Sequence, residues 1–388
     1  MTDSVPDVTT CIIGAGCSGF TMAKRLKDHR LVYDCFEMSD DIGGNWYFGN
    51  PNGMSSCYQS LHIDTSKWRL AFEDYPVPAD WPDFPHHSQL LAYFHDYVDH
   101  FGLRETITFD TAVTDCARLD DRRWKVTLST GESRDYDHLV VGSGYHWDAR
   151  TPTYPGIFDG YQVHSHHYRD PFEPYDFRGK RVLVVGAGNS AMDISSELSQ
   201  RPIAERLVIS MRHGVWVLPK YFDGEPADKA SLPTWMPARL GRALARAKIK
   251  KSIGKMEDYG LPQPDHRPLD AHPSVSGEFL TRVGCGDITP KGDRPPRRRR
   301  GRVLRRLRRA GRCHRVGDGL QRDVPVLPPA RADARGQHVS AVQTNGTRFH
   351  TAPRWPRRSS QTRGSTSVTS TTVPAIGCRS SSTPTSPI

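Results

Sequence analysis

Two short glycine runs hold the chemistry that is legible first. Gly14-Ala15-Gly16-Cys17-Ser18-Gly19 follows the apolar run Val8–Ile13 and opens a helical stretch reaching about Lys27. Gly14 permits a tight turn, Gly16 lets backbone approach a pyrophosphate, and Gly19 lets helix pack on strand. The phosphates would rest on the helix N-terminus, where free N–H groups and the dipole favour anions. A second apolar segment, Leu31–Phe36, closes at Glu37, 23 residues after Gly14 and placed to accept from a ribose hydroxyl. The pattern recurs when Arg181–Val185 feeds Gly186-Ala187-Gly188-Asn189-Ser190-Ala191 and a helix through Leu198. The next strand, Leu207–Ser210, runs into Met211-Arg212 rather than an acid. An acid would repel a 2′-phosphate and Arg can pair with it, so the second loop reads as built for NADP, a plain surface Arg being the alternative.

Strand, glycine turn, helix and strand, used twice, predict an α/β fold with two Rossmann-like dinucleotide-binding domains, the NADP domain inserted in the first. The expected division is 1–155 for the first part of the first dinucleotide-binding domain, 156–282 for the NADP domain, 283–291 for a strand returning to the first domain, and 292–388 for a tail. Apolar residues at helical spacing (Leu90, Leu91, Phe94, Tyr97, Val98, Phe101) predict an amphipathic helix over 87–101, with His86 and His87 capping or preceding it. Residues 107–109, 124–128 and 138–141 read as strands, and Gly142-Ser143-Gly144 as small residues suited to close approach to a cofactor. Residues 223–275 read as an insertion with a helix over 237–249.

The chain of 388 residues is long enough for two domains, and its formal charge of +10 is unevenly placed. Residues 292–388 hold 21 Arg, no Lys, four Asp and no Glu, a net +17, so the first 291 residues carry −7. Eight Cys with no CxxC point to a reducing, cytoplasmic setting, and exclude a dithiol reductase. No apolar run approaches the ~18 residues of a membrane span, so no membrane partner is expected. His164, His166 and His167 lack a carboxylate or Cys at ligand spacing, and no metal is expected.

Between the two loops, Phe158-Asp159-Gly160-Tyr161-Gln162-Val163-His164-Ser165-His166-His167-Tyr168 fits FxGxxxHxxxY, which resembles the fingerprint of class B flavin-containing monooxygenases. Gly43-Gly44-Asn45-Trp46, Thr65-Ser66-Lys67 and Pro219-Lys220 are similar to that family as well, and the resemblance covers residues 8 to about 291. It implies FAD and NADPH as cofactors, with O₂ and a small soft nucleophile, an amine nitrogen or sulfide, oxygenated through a C4a-hydroperoxyflavin. Related Baeyer–Villiger enzymes end the fingerprint in Trp, so Tyr168 favours N/S-oxygenation. The resemblance further implies FAD contacts from Gly14, Gly16, Gly19, Glu37, Asn45, Trp46 and Thr65. It implies NADP contacts from Gly186, Gly188, Ser190, Asp193, Ser210 and Arg212, and a site role for His164. Asp64 stands at the flavin's reactive edge where many relatives have Asn. An ionised carboxylate cannot donate there, so either burial keeps Asp64 protonated or oxygenation is altered.

From Gly292 the resemblance stops. Twelve Arg fall between Arg294 and Arg315, and Ser and Thr dominate from Ser359. Shifting the codons of 311–327 forward by one nucleotide permits a reading that resembles the family's late strand and its Ala-Thr-Gly-Tyr motif. The tail therefore reads as frameshifted and disordered, and the chain as a candidate truncated remnant. The alternative is a non-catalytic nucleotide-binding protein whose basic tail binds nucleic acid.

Overall fold

The computed structural model describes residues 9–151, 156–229 and 235–291, all within the larger of the chain's two compact units, residues 1–346. The expectations for the tail, its frame and its order, concern residues outside those described.

The first lobe starts with β1 (Thr9–Ile13), α1 (Cys17–Asp28) and β2 (Val32–Phe36). A short turn of helix, α2 (Lys67–Leu70), and the longer α3 (His87–His100) follow. Next come β3 (Ile107–Thr108), β4 (Val113–Arg118), β5 (Trp124–Leu128), β6 (Ser133–Tyr136) and β7 (His138–Val141). The parallel sheet runs β3-β2-β1-β7, while β4-β5-β6 form a separate antiparallel meander. α3 starts where expected because the His86 ring caps it, accepting from the Ser88 N–H, and Gln89 accepts from the His86 N–H. Its apolar stripe buries Leu90, Tyr93, Phe94, Tyr97 and Val98 against Phe20 of α1. At about 1.5–3 kcal/mol for each fully buried large side chain, this face outweighs any propensity term in fixing α3.

The second lobe contains β8 (Arg181–Val185), α4 (Asn189–Leu198), β9 (Arg206–Ser210), β10 (Val217–Leu218) and the hairpin β11 (Tyr221–Phe222) with β12 (Glu225–Pro226). α5 (Ala238–Ile253), β13 (Ser274–Val275), α6 (Phe279–Cys285) and β14 (Ile288–Lys291) complete it. Its parallel sheet runs β14-β9-β8.

The segment 283–291 does not return to the first lobe. It finishes α6 and then pairs β14 with β9, Ile288 opposite Leu207 and Lys291 opposite Ser210. The reason is the βαβ crossover rule. α6 packs on α4, and a strand emerging from a helix on that face lands parallel to the nearest open edge, which is β9. Burial alternates along β8, Val182 and Val184 facing the core and their neighbours less covered, and among the described strands it stands at the edge of its sheet.

Candidate active site

Both glycine loops close in the same way. The Gly14 N–H donates to Phe36 O at 2.7 Å, and the Gly186 N–H donates to Ser210 O at 3.0 Å, so each loop is pinned to the last residue of the neighbouring strand. Gly14 sits at φ +90°, in the left-handed region that favours glycine. A Cβ on Gly19 would stand 1.7 Å from Gly14 O, so helix and loop meet backbone to backbone. Gly142 is small for the same reason, since a Cβ there would lie 2.9 Å from Ile13 O; the close approach expected at 142–144 is to the loop itself. Neither α1 nor α4 has a side-chain cap at its N-terminus, Gly16 and Gly188 respectively, which leaves the first N–H groups facing outward for an anion.

The Gly43–Trp46 turn lies against the first loop. The Gly43 N–H donates to Ala15 O at 3.3 Å, and a Cβ on Gly44 would be 3.3 Å from the Gly16 Cα, filling the gap between the two runs. Glu37 is buried at the mouth of that gap, its carboxylate accepting from the Ala15 N–H at 2.6 Å and the Ser39 N–H at 2.9 Å. Asn45 braces the turn, its Oδ1 accepting from the Ser56 N–H and hydroxyl at 3.0 and 2.7 Å. Trp46 packs on the first lobe's core, and Thr65 is exposed. A glycine-walled cradle with an acid at one end fits the adenine dinucleotide half of FAD.

In the second lobe, Ser190 and Ser210 lie half-buried at the start of α4 and the end of β9, and Arg212 is exposed two residues beyond the point where the loop is pinned. The cradle is the same with a cation in reach, which fits NADP(H). Two surface cavities, of about 230 and 370 Å³, lie elsewhere, beside Arg206 and Asp287 and beside Leu26 and His138.

The lobes are joined by residues 57–69 of the first, which the second grips. Tyr58 is buried within the second lobe's core cluster, and its hydroxyl donates to Asp193 Oδ2 at 2.7 Å. Tyr168 donates to Glu197 Oε2 at 2.7 Å, and the Ser60 hydroxyl bonds the same carboxylate. Asp228 Oδ2 accepts from the Ser66 N–H at 2.7 Å. Lys220 donates to Ile63 O at 3.4 Å, and its ammonium stands 3.5 Å from Asp64 Oδ1. Asp64, Asp193 and Lys220 therefore meet at one seam. Burial raises the Asp64 carboxyl, the direction the sequence reading requires for a protonated acid, while Lys220 pulls it back down. Asp193 is pushed up to about 7, first by burial and then by the Asp64 charge. Ser66 Oγ and Asp228 Oδ1 are buried without a hydrogen-bond partner among the described residues, and Asp64 Oδ1 meets the Lys220 ammonium at 3.5 Å. Two unsatisfied oxygens beside that ion pair fit a ligand rich in amide and hydroxyl donors, as both nucleotides are.

His164 takes a different place. It is buried, its Nδ1 accepts from the His166 N–H at 3.0 Å and caps a turn at 165–167, and burial holds its ring near 4, neutral. Lys67 likewise braces the proline-rich loop, donating to Ala79 O at 2.7 Å and to Trp81 O. Tyr58, Glu197 and Asp228 were not singled out from the sequence. No spacing marks them, because they converge from three distant segments. Among the described residues no cluster of His, Cys, Asp and Glu could hold a metal.

With this geometry in hand, the comparisons are direct. A family model described as flavin-binding monooxygenase-like matches residues 8–294. The chain belongs to the flavin-binding monooxygenase-like family. Members of this family are oxidoreductases that use FAD and NADPH, consistent with the two cradles. Curated relatives include flavin-containing monooxygenase 5 of Homo sapiens, 37% identical over 302 residues, covering 73% of this chain and 56% of that protein. Dimethylaniline monooxygenase [N-oxide-forming] 2 of Pan troglodytes is 37% identical over 301 residues, covering 72% and 55%. The chain thus spans about half the length of these relatives. Among solved structures, an oxidized steroid monooxygenase bound to NADP has a TM-score of 0.56 at 21% identity, covering 74% of this chain and 65% of that one. A closed cyclohexanone monooxygenase has a TM-score of 0.54 at 20% identity, covering 74% and 65%. At these identities the structural likeness speaks for the fold.

Proposed function

We propose that this chain is an NADPH- and FAD-dependent monooxygenase that oxygenates a soft nucleophile, an amine nitrogen or a sulfide. The observation that carries the reading is the grip of the second lobe on residues 57–69. It holds Asp64, the residue assigned to the flavin's reactive edge, against α4 and Lys220, beside the second glycine loop. Bound FAD and NADPH supply the redox chemistry. The chain's own residues bind and position. The Gly14–Gly19 and Gly186–Ala191 loops hold pyrophosphates on helix N-termini, Glu37 fixes a ribose, and Arg212 pairs with a 2′-phosphate. Asp64 and Lys220 set the charge at the seam, and the packed lobe joint limits water.

Purified protein should carry a yellow chromophore released as FAD, and should consume NADPH faster when amines or sulfides are added. A colourless protein that takes up no FAD on reconstitution would refute the reading. A second reading, Baeyer–Villiger oxygenation of a ketone, is favoured by the Asp64–Lys220 pair, since a lysine ammonium at the seam can polarise a ketone carbonyl. Ketones in the same assay separate the two. The domain assignment of 156–282 as an NADP domain inserted in a FAD domain, and cytoplasmic localisation, belong to this proposal too.

A further inference from the structure

His87 is buried at 5% exposure, and both of its ring nitrogens lack a hydrogen-bond partner. It is the one histidine among the described residues in that state. His164, buried to the same degree, still accepts at Nδ1. The Gln59 carbonyl that bears on the His87 ring is already taken by His86 Nε2 at 2.7 Å. An unpaired buried polar atom is costly, and a chain keeps one where something else supplies the bond. Burial, and then the neighbouring His86, push the ring down to about 4, so it is neutral and has one N–H and one lone pair to satisfy.

The surroundings indicate what that something is. His87 opens α3, and Leu91, one turn further along the same face, fills the space a Gly43 Cβ would need. The Phe48 ring, just past the Gly43–Trp46 turn, lies 5.2 Å from the His87 ring. On the other side residues 61–63 run antiparallel to 85–87. The His87 N–H donates to Leu61 O at 2.9 Å, and the Ile63 N–H donates to Pro85 O at 3.1 Å. His87 thus stands between the turn that walls the first glycine loop and the segment that delivers Asp64 and Ser66 to the seam. Those are the two sides of the space that the flavin half of FAD would take. We propose that His87 is a binding residue for the flavin of FAD, its two ring nitrogens meeting one acceptor and one donor on the ribityl–pyrimidine side of the cofactor. The dimethylbenzene edge of a flavin offers neither, so the polar side of the ring system faces the start of α3. The inference rests on the cofactor reading and adds to it a residue that no glycine spacing marks.

The test compares FAD affinity and the spectrum of bound flavin in the full chain and in His87→Phe, His87→Leu and His87→Asn. The first two fill the space without a nitrogen, and using both guards against a misfit of either. Each is expected to weaken FAD binding at least about tenfold, measured by quenching of flavin fluorescence, and to change the fine structure of the flavin's visible band, with the NADPH titration unmoved. His87→Asn keeps a donor and an acceptor, and is expected to bring FAD binding back to within about threefold of the wild type. A merely structural histidine would give neither the spectral change nor the rescue. Folded His87→Phe and His87→Leu proteins that bind FAD like the wild type, with the same spectrum, overturn the inference and assign the nitrogens to trapped water, while the cofactor reading stands. A His87→Asn protein as weak as His87→Leu also overturns it, since volume and not hydrogen bonding would then set the affinity. A wild type that takes up no FAD overturns both.

Discussion

Replacing Asp193 with Asn is expected to stabilise the protein at alkaline pH and to leave it nearly unchanged at acid pH. In the folded chain the Asp193 carboxyl keeps its proton up to about pH 7, against an ordinary value of 3.8, because burial and the neighbouring Asp64 charge disfavour its anion. Between those two values the folded state binds more protons than the unfolded one, so stability falls as pH rises, and the full penalty is present above pH 7. Three pH units at about 1.4 kcal/mol each put that penalty at about 4 kcal/mol. Asn cannot ionise and its Oδ1 still accepts from Tyr58, though a neutral acceptor gives back about 1 kcal/mol of the bond at 2.7 Å. A gain of about 2–3 kcal/mol at pH 8 should remain. At roughly 1–2 °C per kcal/mol for a chain of this size, the melting temperature should rise by about 2–5 °C. Thermal melts of both proteins from pH 4.5 to 9 give the comparison. Curves that run parallel, with Asp193→Asn lower by the same amount at every pH, would refute the reasoning, since the carboxyl would then act only through packing.

Four further outcomes follow from the same geometry. Lys220→Met leaves Asp64 facing a buried seam unpaired, and is expected to cost about 1–3 kcal/mol at pH 8 and less at pH 5, with Asp64→Asn restoring stability in the double variant; melts of the four proteins of the cycle check it. Gly19→Ala drives a methyl into Gly14 O and is expected to abolish FAD retention, read from the flavin-to-protein absorbance ratio. Arg212→Ala is expected to weaken NADPH binding by roughly ten- to a hundredfold while sparing NADH, measured by titration of each. Leu90→Ala, at a side chain with no exposure, is expected to cost about 2–5 kcal/mol in urea unfolding without shifting the NADPH titration.

Local order was the legible part of this chain. Both glycine loops, their strands and helices, and the capped helix at 87–100 lie within a residue or two of where sequence places them, because each is encoded by neighbours: glycines at fixed offsets, apolar residues at 3.6-residue spacing, a capping side chain. β4 and β6 escaped notice since their residues alternate too weakly, with Asp115, Arg118, Arg134 and Asp135 among them. β14 was assigned to the wrong sheet because strand order depends on which face α6 occupies, and nothing in residues 283–291 records it. The site divides along the same line. Glu37 and the glycines were readable from spacing, and Asp64 from the family pattern. Tyr58, Glu197 and Asp228 were not, because each acquires a role through a partner more than a hundred residues away on the other lobe, Asp193, Ser60 and Ser66 respectively.

The burial of Tyr58 in the far lobe has a mechanical consequence. Its ring sits among the second lobe's apolar side chains at 3% exposure, while the chain on either side belongs to the first. A wide opening of one lobe from the other would have to extract that ring into water, so any hinge motion must pivot close to it. Tension generated by a nucleotide settling in one cradle would then reach the other around that aromatic axle, carried with it by the Ser66–Asp228 and Lys220–Ile63 bonds beside it.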